Sequence, residues 1–327
     1  AGGVWRICGA ATRDREWFHP ADYFSLHHGR AIMPETAAFS CPVCSHAMTL
    51  GKRRWLYRCA SCGHWASTLK PEIDALADRD ALNQIGITEG LDSLRRHNYS
   101  TLLRKLGEWM PLRGKRLLDV GCSSGLFLEM AAAQGIDAMG LEPDPTIVKR
   151  CVAQGKNVRQ GYFPDAVDAS ERFDIISFND VLEHIPDARG VVAACRELLT
   201  DEGMVLINLP NSGGIVYRVG CALDRLGMHK PLDRLWQVGF RSPHVHYFNS
   251  AGLVRIAADA GLREVGWVKL DTIHLHGLWK RLRADRSSSL PFSLLVWGAM
   301  VLGRPVLKAM PADITAHFFR KGERGSQ

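Results

Sequence analysis

The run Arg116-Leu117-Leu118-Asp119-Val120-Gly121-Cys122-Ser123-Ser124-Gly125-Leu126-Phe127-Leu128-Glu129-Met130 decides how this chain is read. Its first five residues form a short apolar strand. Gly121 to Gly125 is a turn rich in glycine and serine, and the apolar stretch from Leu126 reads as a helix that stops at Gly135. A second strand, Asp137 to Leu141, closes on Glu142. Glycines in such a turn let backbone amides approach a ligand at the helix N-terminus. An acid at the end of the following strand, about 20 residues on, suits the hydroxyls of a ribose.

A dinucleotide fingerprint would need G-x-G-x-x-G, which is absent. Asp119-x-Gly121-x-x-x-Gly125, preceded by two leucines, instead resembles the first motif of the class I S-adenosylmethionine-dependent methyltransferases. That family often has a third, middle glycine, where this chain has Ser123. The resemblance extends through later segments. Val158 to Phe163 is similar to the third strand, Arg172 to Phe178 to the fourth and Gly203 to Asn211 to the fifth. His246 to Ser250 precedes a helix with Leu253, Ile256, Ala257 and Ala260 on one face, and strands near 263–270 and 313–320 complete the set. The resemblance implies an α/β fold, a seven-stranded Rossmann-like sheet whose last strand is antiparallel. It also implies roles. Asp119, Gly121, Cys122 and Gly125 line the methionine part of the cofactor, and Glu142 takes the ribose hydroxyls. Tyr162 and Phe163 border the adenine, and Asn179 closes the site above the sulfonium.

Asn179-Asp180-Val181-Leu182-Glu183-His184-Ile185 resembles the loop and helix after the fourth strand in small-molecule methyltransferases. The spacing predicts Asp180, Glu183 and His184 on one helical face. Ubiquinone-pathway O-methyltransferases and small-RNA 2′-O-methyltransferases carry an acid-x-x-Glu-His run of this type, completed by a later histidine into a divalent-metal site. The later candidates are His244 and His246, and His246 is taken with Asp180, Glu183 and His184 as the ligand set for Mg²⁺ or Mn²⁺. Three alternatives stand here: a metal site, His184 as a metal-free base, or acids that only complement a helix dipole.

Upstream, Cys41-Pro-Val-Cys44 and Cys59-Ala-Ser-Cys62 pair four of the nine cysteines. Two such knuckles read as a zinc ribbon, with four thiolates closing a tetrahedron around structural Zn²⁺. The intervening Lys52 to Arg58 reads as a strand. His46 and His64 are weaker alternative ligands. Domain boundaries follow: 1–36 as an extension, 37–68 as the ribbon and 69–112 as a helical connector. Residues 113–321 form the methyltransferase domain, with lid insertions at 212–245 and 274–311. In the connector, Leu91, Leu94, Asn98, Leu102, Leu103 and Leu106 keep helical spacing up to Pro111.

Composition narrows the function classes. Hydrophobic residues are 46% of the 327 and charged residues 23%, which argues against disorder and against a coiled coil. The net charge of +7 sits mostly in residues 280–327, where nine basic side chains face three acidic ones. The longest uncharged apolar run, Leu290 to Gly303, is shorter than the roughly 20 residues that a membrane-spanning helix needs. The expectation is a cytoplasmic S-adenosylmethionine-dependent methyltransferase acting on oxygen of a small molecule, glycan or lipid-linked intermediate. Residues 280–310 are expected to give peripheral contact with a membrane inner face. An RNA base methyltransferase, favoured by the ribbon and the basic charge, is the alternative enzyme. A non-catalytic S-adenosylmethionine-binding module is the alternative outside enzymes.

Overall fold

The computed structural model describes residues 39–70, 92–272 and 309–322, with Leu290, Leu294, Trp297 and Gly298 besides. The extension at 1–36, most of the second insertion and most of the basic segment 280–310, for which membrane contact is expected, lie outside the described residues. Of the apolar residues in that segment, Leu290, Leu294 and Trp297 are described and exposed. No helix among the described residues is long and apolar enough to cross a membrane.

Two sheets organise the chain. The larger contains β4 (Arg116–Val120), β5 (Asp137–Glu142), β6 (Val158–Gln160), β7 (Phe173–Asn179), β8 (Leu199–Pro210), β10 (Leu262–Leu270) and β11 (Ile314–Lys321). Its order is β10-β11-β8-β7-β4-β5-β6. β4 pairs in parallel with β5 and β7, and β7 with β8. β11 enters between β8 and β10 and runs antiparallel to both. This is the expected seven-stranded sheet with its last strand reversed. Parallel strands need both faces covered, so they read as near-continuous apolar runs. In β8, Gly203 to Leu209 are all buried.

The helices divide between the two faces of that sheet. On one, α1 (Asp92–Trp109) buries Leu94, Asn98, Tyr99, Leu102, Leu103 and Leu106. From Leu94 on this is the stripe that the spacing predicts, with Tyr99 added and Leu91 outside the described residues, and it packs with α2 (Leu126–Ala132) on Leu117, Ile175 and Leu206. On the other face lie α4 (Ala188–Leu198) and α7 (Ser250–Asp259), on Leu118, Ile176, Val205 and Ile207. α3 (Pro145–Ala153) starts at Asp144, whose side chain accepts the Thr146 and Ile147 amides. That N-cap, followed by proline at the first helical position, fixes where the helix begins.

The smaller sheet holds β1 (Met48–Leu50), β2 (Leu56–Cys59) and β3 (Trp65–Ser67). β2 starts only at Leu56, later than the strand expected from Lys52. Its fourth strand comes from far along the chain: β9 (His246–Tyr247) pairs antiparallel with β3, Ala66 opposite His246 and Trp65 opposite Tyr247. The first insertion is helical, with α5 (Ile215–Arg225) and α6 (Lys230–Leu235). Tyr217, Leu232 and Trp236 from it are buried with Leu56 and Tyr247.

Candidate functional site

The turn after β4 is held open by backbone conformations that side chains disfavour. Gly121, Ser123 and Gly125 all have positive φ, at 67°, 48° and 72°. A Cβ on Gly121 would lie 2.7 Å from Val181 Cγ2, so glycine is required for the close approach. Ser123 adopts the left-handed conformation that the family's glycine would take. Its amide donates to Glu142 Oε2 at 3.0 Å, and the Asp144 amide donates to Glu142 Oε1 at 3.1 Å. The Cys122 thiol turns inward and occupies the space that a side chain at Gly140 would need.

Asp119 is buried at the end of β4 and accepts from Ser177 Oγ at 2.7 Å and from Asn179 Nδ2 at 3.0 Å. Burial pushes its carboxyl up to about 7, against the lowering effect of those two donors. Burial likewise pushes Glu142 up to about 7. Asp119, Gly121, Gly125, Glu142 and Asn179 are thus brought to one edge of the sheet. Asn179 Oδ1 is buried there without a hydrogen-bond partner. At the end of β6, Tyr162 is exposed while Phe163 is buried against Phe178, 5.7 Å between ring centroids. Tyr162 therefore remains as the aromatic presented at that edge, with Phe163 supporting it from the core.

Three neighbours of the cradle were missed in the sequence. Asp144 accepts from Arg241 Nη1 at 2.9 Å, a pair with both side chains buried. Asp144-Pro145 is a helix-start signal that could have marked the first; nothing local marks Arg241. Ser177, which holds Asp119, sits inside a near-continuous buried run that hides it.

The segment after β7 departs from the expected helix. Asp180 has φ 57°, and only Leu182–His184 follows as a single 3₁₀ turn. A left-handed residue cannot share a helical face with residues beyond it, so Asp180 does not stand in line with Glu183 and His184. Its amide donates to Asn208 O at 2.9 Å. The group that the fold assembles is Glu183, His184 and His244, whose ligand atoms all lie within 4.8 Å of one another. His246 is not part of it. Its Nε2 lies 3.0 Å from Pro186 O and its Nδ1 3.3 Å from His64 Nε2. Alternation along an extended chain sends His244 and His246 to the same side only when the strand is regular, and β9 begins at His246 itself.

The cluster is polar, buried and poorly partnered. Glu183 is buried, and neither carboxylate oxygen has a hydrogen-bond partner. Burial, helped by the charge of Asp180, holds its carboxyl well above the usual range. His184 Nδ1 lies 3.0 Å from Pro243 O. A carbonyl only accepts, so Nδ1 carries the proton and Nε2 keeps a bare lone pair. Burial pushes the His184 and His244 imidazoles down from their ordinary values. Their rings are 4.7 Å apart and near perpendicular.

In the ribbon, Cys41 and Cys62 sulfurs are 3.5 Å apart and those of Cys44 and Cys59 3.4 Å. All four lie within 4.8 Å of one another. Four thiolates about 2.3 Å from one Zn²⁺ would stand about 3.8 Å apart, so the donor set fits that ion. The knuckles repeat one pattern. Cys41 N donates to His46 O and Ser45 N to Cys41 O; Cys59 N donates to His64 O and Gly63 N to Cys59 O. Burial pushes the Cys44 thiol up, but the His46 amide and the other thiols outweigh it and bring it to about 6. His46 and His64 stand outside the four-sulfur group.

Against known proteins, residues 91–265 match the methyltransferase-domain family. The chain is 32% identical over 142 residues to a ubiquinone biosynthesis O-methyltransferase of Azorhizobium caulinodans, covering 42% of this chain and 54% of the relative. It is 36% identical over 107 residues to the enzyme of that name from Pectobacterium atrosepticum, covering 31% and 44%. The chain thus spans about half the length of the curated relatives it matches. In fold it is similar to a chain in the solved complex of the Haloferax volcanii Trm112 methyltransferase activator with a methyltransferase. The TM-score there is 0.53 at 14% identity, over 76% of this chain and 100% of that one. The motif turn, the sheet order and a family match over more than half its residues agree: the chain belongs to the methyltransferase-domain family.

Proposed function

We propose that this chain transfers a methyl group from S-adenosylmethionine to a hydroxyl oxygen of a small molecule, with His184 as the general base. The observation that carries the reading is the bare Nε2 of His184, fixed by the bond to Pro243 O and set next to the cofactor turn. Val181 makes that adjacency, since it packs on Gly121 and lies three residues before His184. The O-methyltransferase names of the two relatives support oxygen as the acceptor atom.

Bound at the turn, S-adenosylmethionine supplies an electrophilic methyl group on a sulfonium whose departure leaves a neutral thioether. The protein's own residues do the rest. Glu142 accepts from the ribose hydroxyls, Asp119 and the turn hold the methionine part, and Tyr162 borders the adenine. Asn179, whose buried Oδ1 has no hydrogen-bond partner, would close the site above the sulfonium. As the acceptor oxygen attacks, His184 Nε2 takes its proton. The low imidazole basicity keeps that nitrogen free of a proton at neutral pH.

The unpartnered oxygens of Glu183 favour one second reading. Glu183, His184 and His244 would hold a divalent cation, and one carboxylate with two imidazoles suits Mn²⁺ better than Mg²⁺. Such an ion would acidify the acceptor hydroxyl. A structural Zn²⁺ on Cys41, Cys44, Cys59 and Cys62 belongs to either reading.

Incubation of methyl-labelled S-adenosylmethionine and the protein with host extract, fractionated into small molecules, lipids, glycans and RNA, tests the acceptor class. Label in the small-molecule fraction is expected; label confined to RNA would overturn the reading. Chelation that leaves the ribbon zinc bound separates base from metal.

A further inference from the structure

Between the ribbon and the His184 cluster lies the segment Pro243-His244-Val245, and it is bonded on both sides. From the ribbon, Ser67 Oγ donates to His244 O at 2.8 Å and the Ser67 amide donates to Val245 O at 2.9 Å. From the other side, Val245 N donates to Glu183 O at 2.9 Å, and His184 Nδ1 donates to Pro243 O. Ser67 is buried, ends β3 and stands five residues after Cys62. Each knuckle is also tied to the chain just beyond one histidine. Arg189 Nη1 donates to Val43 O at 2.9 Å, and Asn249 Nδ2 donates to Cys62 O at 3.1 Å.

We propose that the zinc ribbon is a positioning element for the reaction, in which Ser67 sets the Pro243–Val245 segment and through it the tautomer of His184 and the placement of His244. This rests on the reading of that cluster as the reacting centre. Ser67 touches neither cofactor nor acceptor, so it is a positioning residue.

The physical argument is one of over-determination. Pro243 O is what keeps the proton on His184 Nδ1 and the lone pair on Nε2. Proline has no N–H, so the segment cannot be fixed by a backbone donor at that residue. Its register depends on the next two residues, whose amides donate to Trp236 O and Glu183 O and whose carbonyls are both held by Ser67. Without the hydroxyl, His244 O loses its donor in a buried place. The segment then relaxes, and the bond that selects the His184 tautomer lengthens. A misplacement of about 1 Å at a reacting group costs on the order of 10²-fold in rate.

The test uses Ser67→Ala and Ser67→Thr in the full zinc-loaded chain. Imidazole ¹⁵N spectra report the tautomer of His184, and cross-relaxation reports the contact between the His184 and His244 rings. Ser67→Ala is expected to keep its zinc and to bind S-adenosylmethionine within about twofold of wild type. It should lose the Nδ1–H tautomer preference and the ring contact, and methyl transfer into the extract fraction labelled by wild type should fall by about 10²-fold. Ser67→Thr, which keeps the hydroxyl, should restore both. A wild-type imidazole spectrum in Ser67→Ala would overturn the proposal. So would a parallel loss of cofactor affinity and folding that Ser67→Thr does not rescue, because that is ordinary packing. If the spectra move as expected while His184→Ala transfers methyl at the wild-type rate, the positioning stands and the catalytic reading of the cluster falls.

Discussion

The cofactor turn and the His184 cluster occupy neighbouring places and are built in opposite ways. Between Asp119 and Glu142 the geometry is local: one strand, one turn, one helix and the next strand. Its acids are matched there, Asp119 by Ser177 and Asn179, Glu142 by the Ser123 and Asp144 amides. The cluster draws Glu183 and His184 from one end of a strand and His244 from a segment sixty residues later, 59 separating His184 from its partner Pro243. There both Glu183 oxygens and His244 Nδ1 are left without partners. Buried polar groups are nearly always satisfied, and the exceptions concentrate where a ligand or reaction supplies the missing partner. The acids of the turn are therefore matched within the chain, whereas the cluster keeps buried polar atoms without hydrogen-bond partners.

Removing a knuckle tests this contrast most severely. Structural zinc contributes on the order of 10 kcal/mol to small sites. Cys59→Ser should lose the metal and much of the solubility, while the cofactor turn, which shares no residue with the ribbon, is affected last. Metal analysis alongside calorimetry with S-adenosylmethionine checks the order of loss. Next in size is His184→Ala, expected to lower kcat by roughly 10²–10⁴ with little change in cofactor affinity. Single-turnover kinetics on the labelled acceptor fraction would detect it, and equal turnover would return the cluster to a packing role.

The converse variant is Glu142→Ala, which strikes the turn and spares the cluster. It leaves ribose hydroxyls unpaired and should weaken S-adenosylmethionine by roughly 1–3 kcal/mol, read by calorimetry. A subtler effect concerns protons. Asp119 and Glu142 sit near 7 in the folded chain, raised by burial, so each is partly protonated at neutral pH. A cationic ligand favours the ionised forms and must displace protons on binding. Binding enthalpies at pH 7 should accordingly differ between buffers of high and low ionisation enthalpy, and identical enthalpies would place the acids elsewhere. The smallest change is Ser123→Gly. It relieves a left-handed serine and should stabilise the fold by about 1 kcal/mol in denaturant titration.

Legibility followed the same division. The placement of Asp119, Gly121 and Glu142 was readable because it is written within one contiguous strand–turn–helix–strand unit. Strands such as β8 were readable as apolar runs, and the helix α1 by its stripe. The arrangement of Asp180, Glu183 and His184 was misread because spacing alone assumes a helix, whereas Asp180 takes a left-handed conformation. Choosing His246 over His244 failed for a related reason: which of the two faces Glu183 depends on where β9 starts, and that is set by pairing with β3. Arg241 and Ser67 carry no local signal at all, since their partners are distant in the chain.

The pairing of β3 with β9 also imposes an order on synthesis. As the chain leaves the ribosome, the two knuckles precede their partner strand, and one edge of the small sheet stays open until His246 and Tyr247 follow. An unpaired edge is a template for pairing with another chain. The nascent protein therefore passes through a stage in which that edge is sticky, and slow translation between residues 67 and 246 lengthens the exposure.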